Sequence, residues 1–154
     1  MNDLPKHALS IMQPWAWLIV NGHKDIENRD WPTKFRGPIA IHAGKKLDED
    51  CAMSLTYSDG AHHPVTGENM TIDTGQRLIH SDDEWDTFSA PAWADKRGGI
   101  VGVAEIVDCV DASDSPWFVG RYGFIIRNAR PVDFIPVRGA LGFFDWRRNI
   151  EVHP

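Results

Sequence analysis

The stretch that most constrains the fold is residues 100–110, which follow two glycines and are apolar at nearly every position. A strand with one face in water alternates apolar and polar residues, whereas a strand that is apolar on both faces needs cover on both. Residues 100–110 therefore predict a central strand. The chain must build a sheet on both sides of it and place apolar side chains against each face.

The other predicted elements are shorter and are separated by turn residues. Pro14 is well placed in the first turn of a helix, and Gly22 is a good stop for one, so a short helix is predicted over residues 14–21. A second helix is predicted over residues 47–57. Further strands are predicted over residues 8–12, 25–31, 39–43, 122–128 and 132–137, with the last two joined at 129–131. This pattern indicates an α+β fold with a curled sheet of five to six strands, closed or mostly closed into a β-barrel, and two to three helices.

Residues 58–95 are the least regular part of the chain. Residues 58–80 are rich in glycine and polar side chains and are expected to form a long loop or a small hairpin excursion. Ser81 and Glu84 match a capping box, which predicts a helix that runs through Trp85 and Phe88. We expect this loop-rich insertion to interrupt a single domain of residues 1–154, because this length fits one domain.

Charge and cysteine content limit the classes of partner. The formal net charge is -6, whereas proteins that grip long nucleic acids usually have a basic balance. Any nucleic-acid contact therefore needs a local basic patch or a small ligand. Cys51 and Cys109 lie far apart and are interpreted as reduced thiols. With no apolar run long enough to cross a membrane and a polar amino terminus, the expectation is a cytoplasmic protein without a membrane partner.

The densest candidate site begins at Gly22 and has the spacing Gly-x-Lys-x-x-Glu-x-Arg, with Lys24, Glu27 and Arg29 as its charged members. On a strand, Glu27, Arg29 and Trp31 project from one face, and Lys24 can reach over it. A carboxylate between two cations can bind a polar ligand or take part in proton transfer. The alternative is a ladder of exposed ion pairs, which contributes little to function or stability.

Three further segments extend this motif to a family resemblance. The chain resembles the ASCH family, whose fold is related to PUA domains, in Leu9-Ser10-Ile11-Met12-Gln13-Pro14-Trp15-Ala16, in Gly22-x-Lys24-x-x-Glu27-x-Arg29-x-Trp31, in Arg36-Gly37-Pro38-x-x-Ile41-His42-Ala43 and in the region from Tyr122-Gly123-Phe124 to Arg138-Gly139. The resemblance covers most of the chain except residues 58–94. It implies a PUA-like β-barrel with a cleft between the first helix and the barrel.

The resemblance also implies a function in RNA or nucleotide binding, with possible hydrolysis of RNA as a ribonuclease. Lys24 and Glu27 are then the catalytic candidates, and Arg29 binds or orients the substrate. One alternative is an amidohydrolase that acts on N4-acylcytidine-type nucleosides. Such enzymes use a threonine three residues after the motif lysine, where this chain has Glu27. The other alternative is a nucleic-acid-binding module without catalysis.

The other candidates for substrate binding are a glutamine, two tryptophans and a group of four basic residues. Gln13 can read a base edge through its amide, and Trp15 or Trp31 can stack on a base. Both tryptophans could instead be core anchors. A second group of basic residues could form a phosphate-binding rim with the motif, or could be an ordinary solvated surface; its members are Lys34, Arg36, Lys45 and Lys46.

No metal site or cofactor is predicted. His62, His63, His80, Asp82 and Asp83 could attract a divalent metal, but adjacent histidines on a strand point to opposite faces, which is poor ligand geometry. His42 is interpreted as a structural histidine with its hydrogen bonds satisfied. The expected partner is RNA or a modified nucleoside, and the sequence leaves the oligomeric state open.

Overall fold

A computed structural model describes residues 3–80 and 87–150. The elements in chain order are β1 (His7–Gln13), α1 (Trp15–Val20), β2 (Ile26–Arg29), β3 (Gly37–Leu47), α2 (Glu49–Leu55), β4 (Ala61–His62), β5 (Asn69–Met70), β6 (Arg77–His80), β7 (Thr87–Ala90), β8 (Gly99–Val110), β9 (Tyr122–Pro136) and β10 (Phe143–Asp145). A 3₁₀ helix, Trp146–Asn149, follows β10. Across the described ranges, none of the helices has the length and apolar character needed to cross a membrane.

Six strands form one mixed sheet in the order β10-β1-β3-β8-β9-β2. The β1–β3 pair is parallel and the other pairs are antiparallel. The prediction of a central strand is confirmed, because β8 lies between β3 and β9. Its side chains cover both faces: Val101, Ala104 and Ile106 belong to one buried cluster, and Ile100 belongs to another.

The α+β class is confirmed, but closure of the sheet into a barrel is not. The sheet ends at β10 on one side and β2 on the other, and these strands are not paired with each other within the described residues. Side chains connect the two edges instead. The ring of Trp31, just after β2, lies edge-on to Phe143 of β10 with centroids 5.8 Å apart. The sheet therefore curls until its edges meet through aromatic side chains rather than through backbone hydrogen bonds.

The predicted break at residues 129–131 is wrong, since β9 runs without interruption from Tyr122 to Pro136. Its ladder with β8 shifts register at three points, and Asn128 has a φ of 56°. Such bulges accommodate an extra residue and tolerate a proline that cannot donate a ladder hydrogen bond. Pro131 lies opposite Gly102 at one of these shifts, so the strand tolerates it.

The insertion contains two small hairpins outside the main sheet, which agrees with the expected hairpin excursion. Strands β4 and β5 pair with each other, as do β6 and β7. The predicted helix is wrong at Phe88, which lies in β7 opposite Ile79 of β6. Cross-strand pairing has overridden the helical pattern there. The capping-box residues and Trp85 lie outside the described residues.

Candidate functional site

A cleft of about 520 Å³ opens between the end of β1, the start of α1 and the segment that contains β2. It brings together five of the residues singled out from the sequence, namely Trp15, Lys24, Glu27, Arg29 and Trp31. Its other lining residues are Ser10, Ile11, Met12, Asn28, Asp30, Val119 and Gly120. The site thus combines two aromatic rings, four charged groups and a segment of strand backbone.

The end of α1 determines the position of Lys24. Gly22 has a φ of 81°, which a residue without a Cβ adopts at low cost, and the chain reverses there. The backbone N–H of Lys24 then donates to the carbonyl of Leu18 over 3.0 Å. This turn delivers Lys24 directly to the start of β2, and its side chain is only 2% exposed.

The lysine, the glutamate and the arginine form one ion-paired cluster. Lys24 Nζ donates to the carbonyl of Ile26 and, over 3.1 Å, to Glu27 Oε1. Arg29 Nη2 lies 3.0 Å from Glu27 Oε2, so each carboxylate oxygen faces a different cation. The Glu27 side chain is only 9% exposed, so the cluster is not a ladder of exposed ion pairs. Including Asp30, the formal charges that line the cleft cancel.

Arg29 also connects this cluster to β1. Its Nη2 donates to the carbonyl of Ser10 over 2.8 Å. Its Nε is buried and has no hydrogen-bond partner among the described residues. A buried donor of this kind is uncommon, because most buried polar groups are hydrogen-bonded. Arg29 therefore has three roles in the geometry: it pairs with Glu27, it anchors β1, and it retains one unused donor.

Both tryptophans of the cleft are partly buried. The indole Nε1 of Trp15 donates to Asp48 Oδ2 over 2.8 Å, and its ring centroid lies 5.4 Å from Lys24 Nζ. Trp31 packs edge-on against Phe124, with centroids 5.3 Å apart. The predicted roles as core anchor and as stacking surface are therefore compatible, because each ring contacts neighbouring side chains and also lines the cleft.

The outer edge of β1 forms one wall of the cleft. Strand β10 pairs with β1 only at residues 7–9, so the edge beyond Leu9 has no neighbouring strand among the described residues. Backbone groups of successive strand residues point to opposite edges. The carbonyl of Gln13 accepts from Asp48 on the inner side, and that of Ser10 faces Arg29 on the outer side. The N–H and C=O of Met12 consequently face the cleft edge.

Four predicted substrate-binding residues lie outside the cleft lining. Gln13 is 1% exposed, and its amide donates to the carbonyl of Lys96 and accepts from the N–H of Trp17. Arg36, just before β3, lies 3.5 Å from Asp108. Lys45 and Lys46 are exposed near the other end of β3. The expected single basic rim is therefore split between the two ends of one strand.

His42 is held as a structural residue behind β1. Its Nδ1 lies 2.9 Å from Ser10 Oγ, and its Nε2 lies 2.7 Å from the carbonyl of Val137. The carbonyl can only accept, so Nε2 donates to it, and the Ser10 hydroxyl donates to Nδ1. Burial of the ring lowers the pKa of His42 below its ordinary value. The neutral imidazole thus has both nitrogens satisfied.

Some cleft residues carry no motif in the sequence. Val119 and Gly120 come from the connection between β8 and β9, and Asn28 ties that connection to β2. Asn28 Nδ2 donates to the carbonyl of Trp117, and its Oδ1 accepts from the N–H of Val119. An asparagine between the charged residues of β2 gives no local signal of this contact, which spans about ninety positions of the chain.

The described residues contain no group of three or more histidine, cysteine or carboxylate side chains that could hold a metal ion. His62 pairs instead with Asp59 over 3.0 Å, and His63 Nδ1 accepts from the N–H of Val65. The side chain of His80 and both Asp82 and Asp83 lie outside the part of the chain that is described. The two cysteines are free, as expected from the sequence.

Comparison with known proteins identifies the class. The ASCH domain matches residues 9–118, and the chain belongs to this family. Among its relatives is human activating signal cointegrator 1, 26% identical over 160 residues that cover 95% of this chain and 23% of the relative. The mouse protein of the same name is 28% identical over 103 residues, which cover 67% of this chain and 14% of the relative. The chain thus spans less than a quarter of either relative.

Proposed function

We propose that this protein binds single-stranded RNA by holding one unpaired base in the cleft. The observation that carries the proposal is the composition of the cleft, which is lined by Trp15 and Trp31 and by charged groups whose formal charges cancel. Stacking of a base on an aromatic side chain contributes about 1–3 kcal/mol and tolerates any base. The chain belongs to the ASCH family, and its resemblance to that family implies RNA binding, which supports the same conclusion.

The charges of the cleft favour a base over a phosphate group. Lys24 is almost completely buried, and two of its three ammonium hydrogens are donated to Ile26 and Glu27. A phosphate in the cleft would approach the carboxylates of Glu27 and Asp30, which repel it. A nucleobase is uncharged and planar, so it can stack on a ring that lines the cleft without disturbing the ion-paired cluster.

The edge of β1 supplies the hydrogen-bonding groups that a base requires. The N–H and C=O of Met12 form a donor and acceptor pair that faces the cleft edge. A base edge offers donors and acceptors at similar spacing. Recognition through the backbone does not use the charged side chains, and it explains why Gln13 need not reach the cleft.

Hydrolysis is a second candidate, favoured by the position of the Glu27 carboxylate between two cations in the cleft. In RNA cleavage the ribose 2′-hydroxyl would attack the adjacent phosphorus, Glu27 would take its proton, and Arg29 would stabilise the developing charge. The P–O5′ bond would break, leaving a 2′,3′-cyclic phosphate on one fragment and a 5′-hydroxyl, protonated from water, on the other. In amidohydrolysis of an N4-acylcytidine, Glu27 would activate water, because no threonine stands three residues after Lys24. Both oxygens of Glu27 already face cations, so binding remains the primary proposal.

The test combines a binding assay with product analysis. Fluorescence anisotropy would measure the affinity for a labelled ten-nucleotide single-stranded RNA, its DNA equivalent and an RNA duplex. The Trp31→Ala variant should weaken single-strand binding by about 1–3 kcal/mol, roughly 5- to 150-fold. Arg36→Ala is the matched control, because Arg36 is exposed and outside the cleft. The proposal fails if the wild-type protein binds no RNA, or if Trp31→Ala binds as tightly as the control.

Mass spectrometry of the same incubations separates binding from hydrolysis. The wild-type protein and a Glu27→Gln variant would each be incubated with single-stranded RNA, tRNA and a set of N4-acylcytidines, with and without manganese. Cleaved RNA or free cytidine that disappears in the variant, while circular dichroism shows the variant still folded, would establish an enzyme and identify its substrate class. Binding without any product would leave a non-catalytic module.

A further inference from the structure

We propose that Lys45, Lys46, Lys96 and Arg97 form a phosphate-binding surface, here called the basic shelf, that holds the backbone of the RNA strand beside the cleft. This inference rests on the proposed function and adds a second contact to it. All four side chains are exposed, and they come from two segments that are about fifty positions apart in the chain.

The first segment lies beside the strand that forms the cleft wall, at a bulge in β3. The pairing of β1 with β3 passes from Ile11 opposite Ala43 to Gln13 opposite Leu47, so Gly44, Lys45 and Lys46 lie opposite Met12 alone. A bulge leaves the extra residues unpaired and changes the direction of their side chains. Met12 is 39% exposed and lines the cleft. The bulge therefore places two lysines directly behind the cleft wall.

The second segment is fastened to the same bulge. Arg97 Nη1 donates to the carbonyl of Lys45 over 3.2 Å, and the N–H of Gly98 donates to the carbonyl of Ala43 over 2.8 Å. The Lys45 side chain lies along Gly98, where an added Cβ would come within 3.2 Å of Lys45 Cγ. A glycine at this position therefore allows Lys45 and Arg97 to share one surface.

Lys96 adds a further cation to the shelf, and its backbone is fastened to the end of β1. Its carbonyl accepts from the buried amide of Gln13, and its Nζ lies 5.9 Å from the ring of Phe134. Gln13 immediately follows Met12 in β1, so this hydrogen bond ties the segment that contains Lys96 to the strand that forms the cleft wall. Asp95 lines the same depression as Lys45 and Arg97 and offsets one of the four positive charges.

The division of charge between cleft and shelf is the basis of the inference. The cleft is neutral and suits a base, whereas the shelf has a formal excess of three positive charges on a chain of net charge -6. A nucleotide in a strand has both a neutral base and a charged phosphate. A strand with one base in the cleft therefore needs cations beside the wall, and the shelf provides them there.

The test measures how RNA affinity depends on salt. For single-stranded nucleic acid, each neutralised phosphate contributes a slope of about -0.7 to log K against log salt. The Lys45→Ala/Lys46→Ala variant should therefore make the slope for the ten-nucleotide RNA shallower by about 1.4. The matched control is Lys34→Ala/Arg36→Ala, which removes two exposed cations near the opposite end of β3, roughly 25 Å away at about 3.3 Å per residue.

The outcomes separate the shelf from the cleft. Unchanged salt slope in Lys45→Ala/Lys46→Ala, with RNA binding still sensitive to Trp31→Ala, would overturn the shelf and leave the cleft intact. An equal change in the Lys34→Ala/Arg36→Ala control would also overturn it, because the effect would then reflect net charge alone. If the wild-type protein bound no RNA at all, the shelf would fail together with the proposed function.

Discussion

Arg29 Nη2 donates to the main-chain carbonyl of Ser10 over 2.8 Å, and this contact ties the edge strand β2 to the outer edge of β1. The two strands lie in the last and the second positions of the sheet order, so no backbone ladder joins them. The same guanidinium pairs with Glu27. One side chain therefore maintains both the shape of the cleft and the charge balance of its floor.

Substitution Arg29→Lys should destabilise the protein by about 1–3 kcal/mol, because a lysine keeps the charge but lacks the planar fork that reaches both Glu27 and Ser10. Chemical denaturation would measure the change in the free energy of unfolding. Arg36→Lys, an exposed position, should change it by less than about 0.5 kcal/mol. Equal values for the two variants would show that the bond to Ser10 contributes nothing to stability.

Substitution Glu27→Gln should cost about 3–5 kcal/mol, because it leaves the buried Lys24 ammonium without its counter-charge. Adding Lys24→Met should recover part of that loss, since the double variant contains no uncompensated lysine. A double-mutant cycle on the free energies of unfolding measures this coupling. Additive losses from the two single changes would contradict the buried pairing.

Substitution Met12→Pro should weaken RNA binding more than Met12→Ala does. Both variants lose the methionine side chain, but only proline removes the N–H that faces the cleft edge. Proline is tolerated on a strand edge that pairs with no neighbour, so the fold should persist. The difference between the two affinities, measured by anisotropy, reports the backbone contact, and identical affinities would exclude it.

The stability of the protein should fall as the pH falls below 6.5, in part because of His42. Burial lowers the pKa of His42 from 6.5. The unfolded chain therefore binds a proton as the pH drops through about 6.5, while the folded chain stays neutral until its lower pKa is reached. This contribution is absent above the unfolded pKa and destabilises the fold progressively between the two pKa values.

Comparison of variants isolates this contribution from those of the other histidines. Burial also lowers the pKa of His23 and His63, so the wild-type slope contains several contributions. His42→Asn should make the fall in unfolding free energy shallower between pH 6.5 and the folded pKa. The carboxylate of Asp59 raises the pKa of His62, so His62 adds stability as the pH falls from that raised pKa to 6.5, and its contribution is constant below 6.5. His62→Asn should therefore remove a gain in stability above pH 6.5 and leave the slope below it unchanged. A shallower fall below pH 6.5 in His62→Asn, equal to that in His42→Asn, would contradict this assignment.

Alkylation should reach Cys109 before Cys51. Burial raises the pKa of the Cys51 thiol and the carboxylate of Asp48 raises it further, so the reactive thiolate is scarce there. Cys109 is only partly buried. Timed labelling with iodoacetamide followed by peptide mass spectrometry would measure both rates, and labelling in denaturant is the control that should equalise them. Faster labelling of Cys51 in the folded protein would refute the expected order.

The sequence predicts those elements of the fold whose formation depends on neighbouring residues in the chain. The two-sided apolar character of residues 100–110 predicted the central strand, and Pro14 with Gly22 predicted α1. Closure of the sheet depends on how the edge strands meet, and residues such as Trp31 and Phe143 give no local signal of that contact. At Phe88 a local pattern is present but misleading: the sequence predicts a helix, and pairing with Ile79 makes a strand.

The candidate site likewise has a part that the sequence predicts and a part that it does not. The spacing of Lys24, just before β2, and of Glu27 and Arg29 within it predicts residues that the fold does bring together. Closeness in sequence groups Lys45 and Lys46 with Arg36, yet a long strand separates them in space. The edge of β1 at Met12 could not be foreseen, since it depends on where β10 stops pairing.

The mutual pairing of Lys24, Glu27 and Arg29 has a consequence for ligand choice. Charges that already satisfy one another respond little to ionic strength, whereas exposed cations on a surface are screened. Under the proposed division of roles, a change in cellular salt would alter how long a strand stays bound without altering which base the cleft accepts. Residence time and selectivity could therefore change independently, each through substitutions that leave the other untouched.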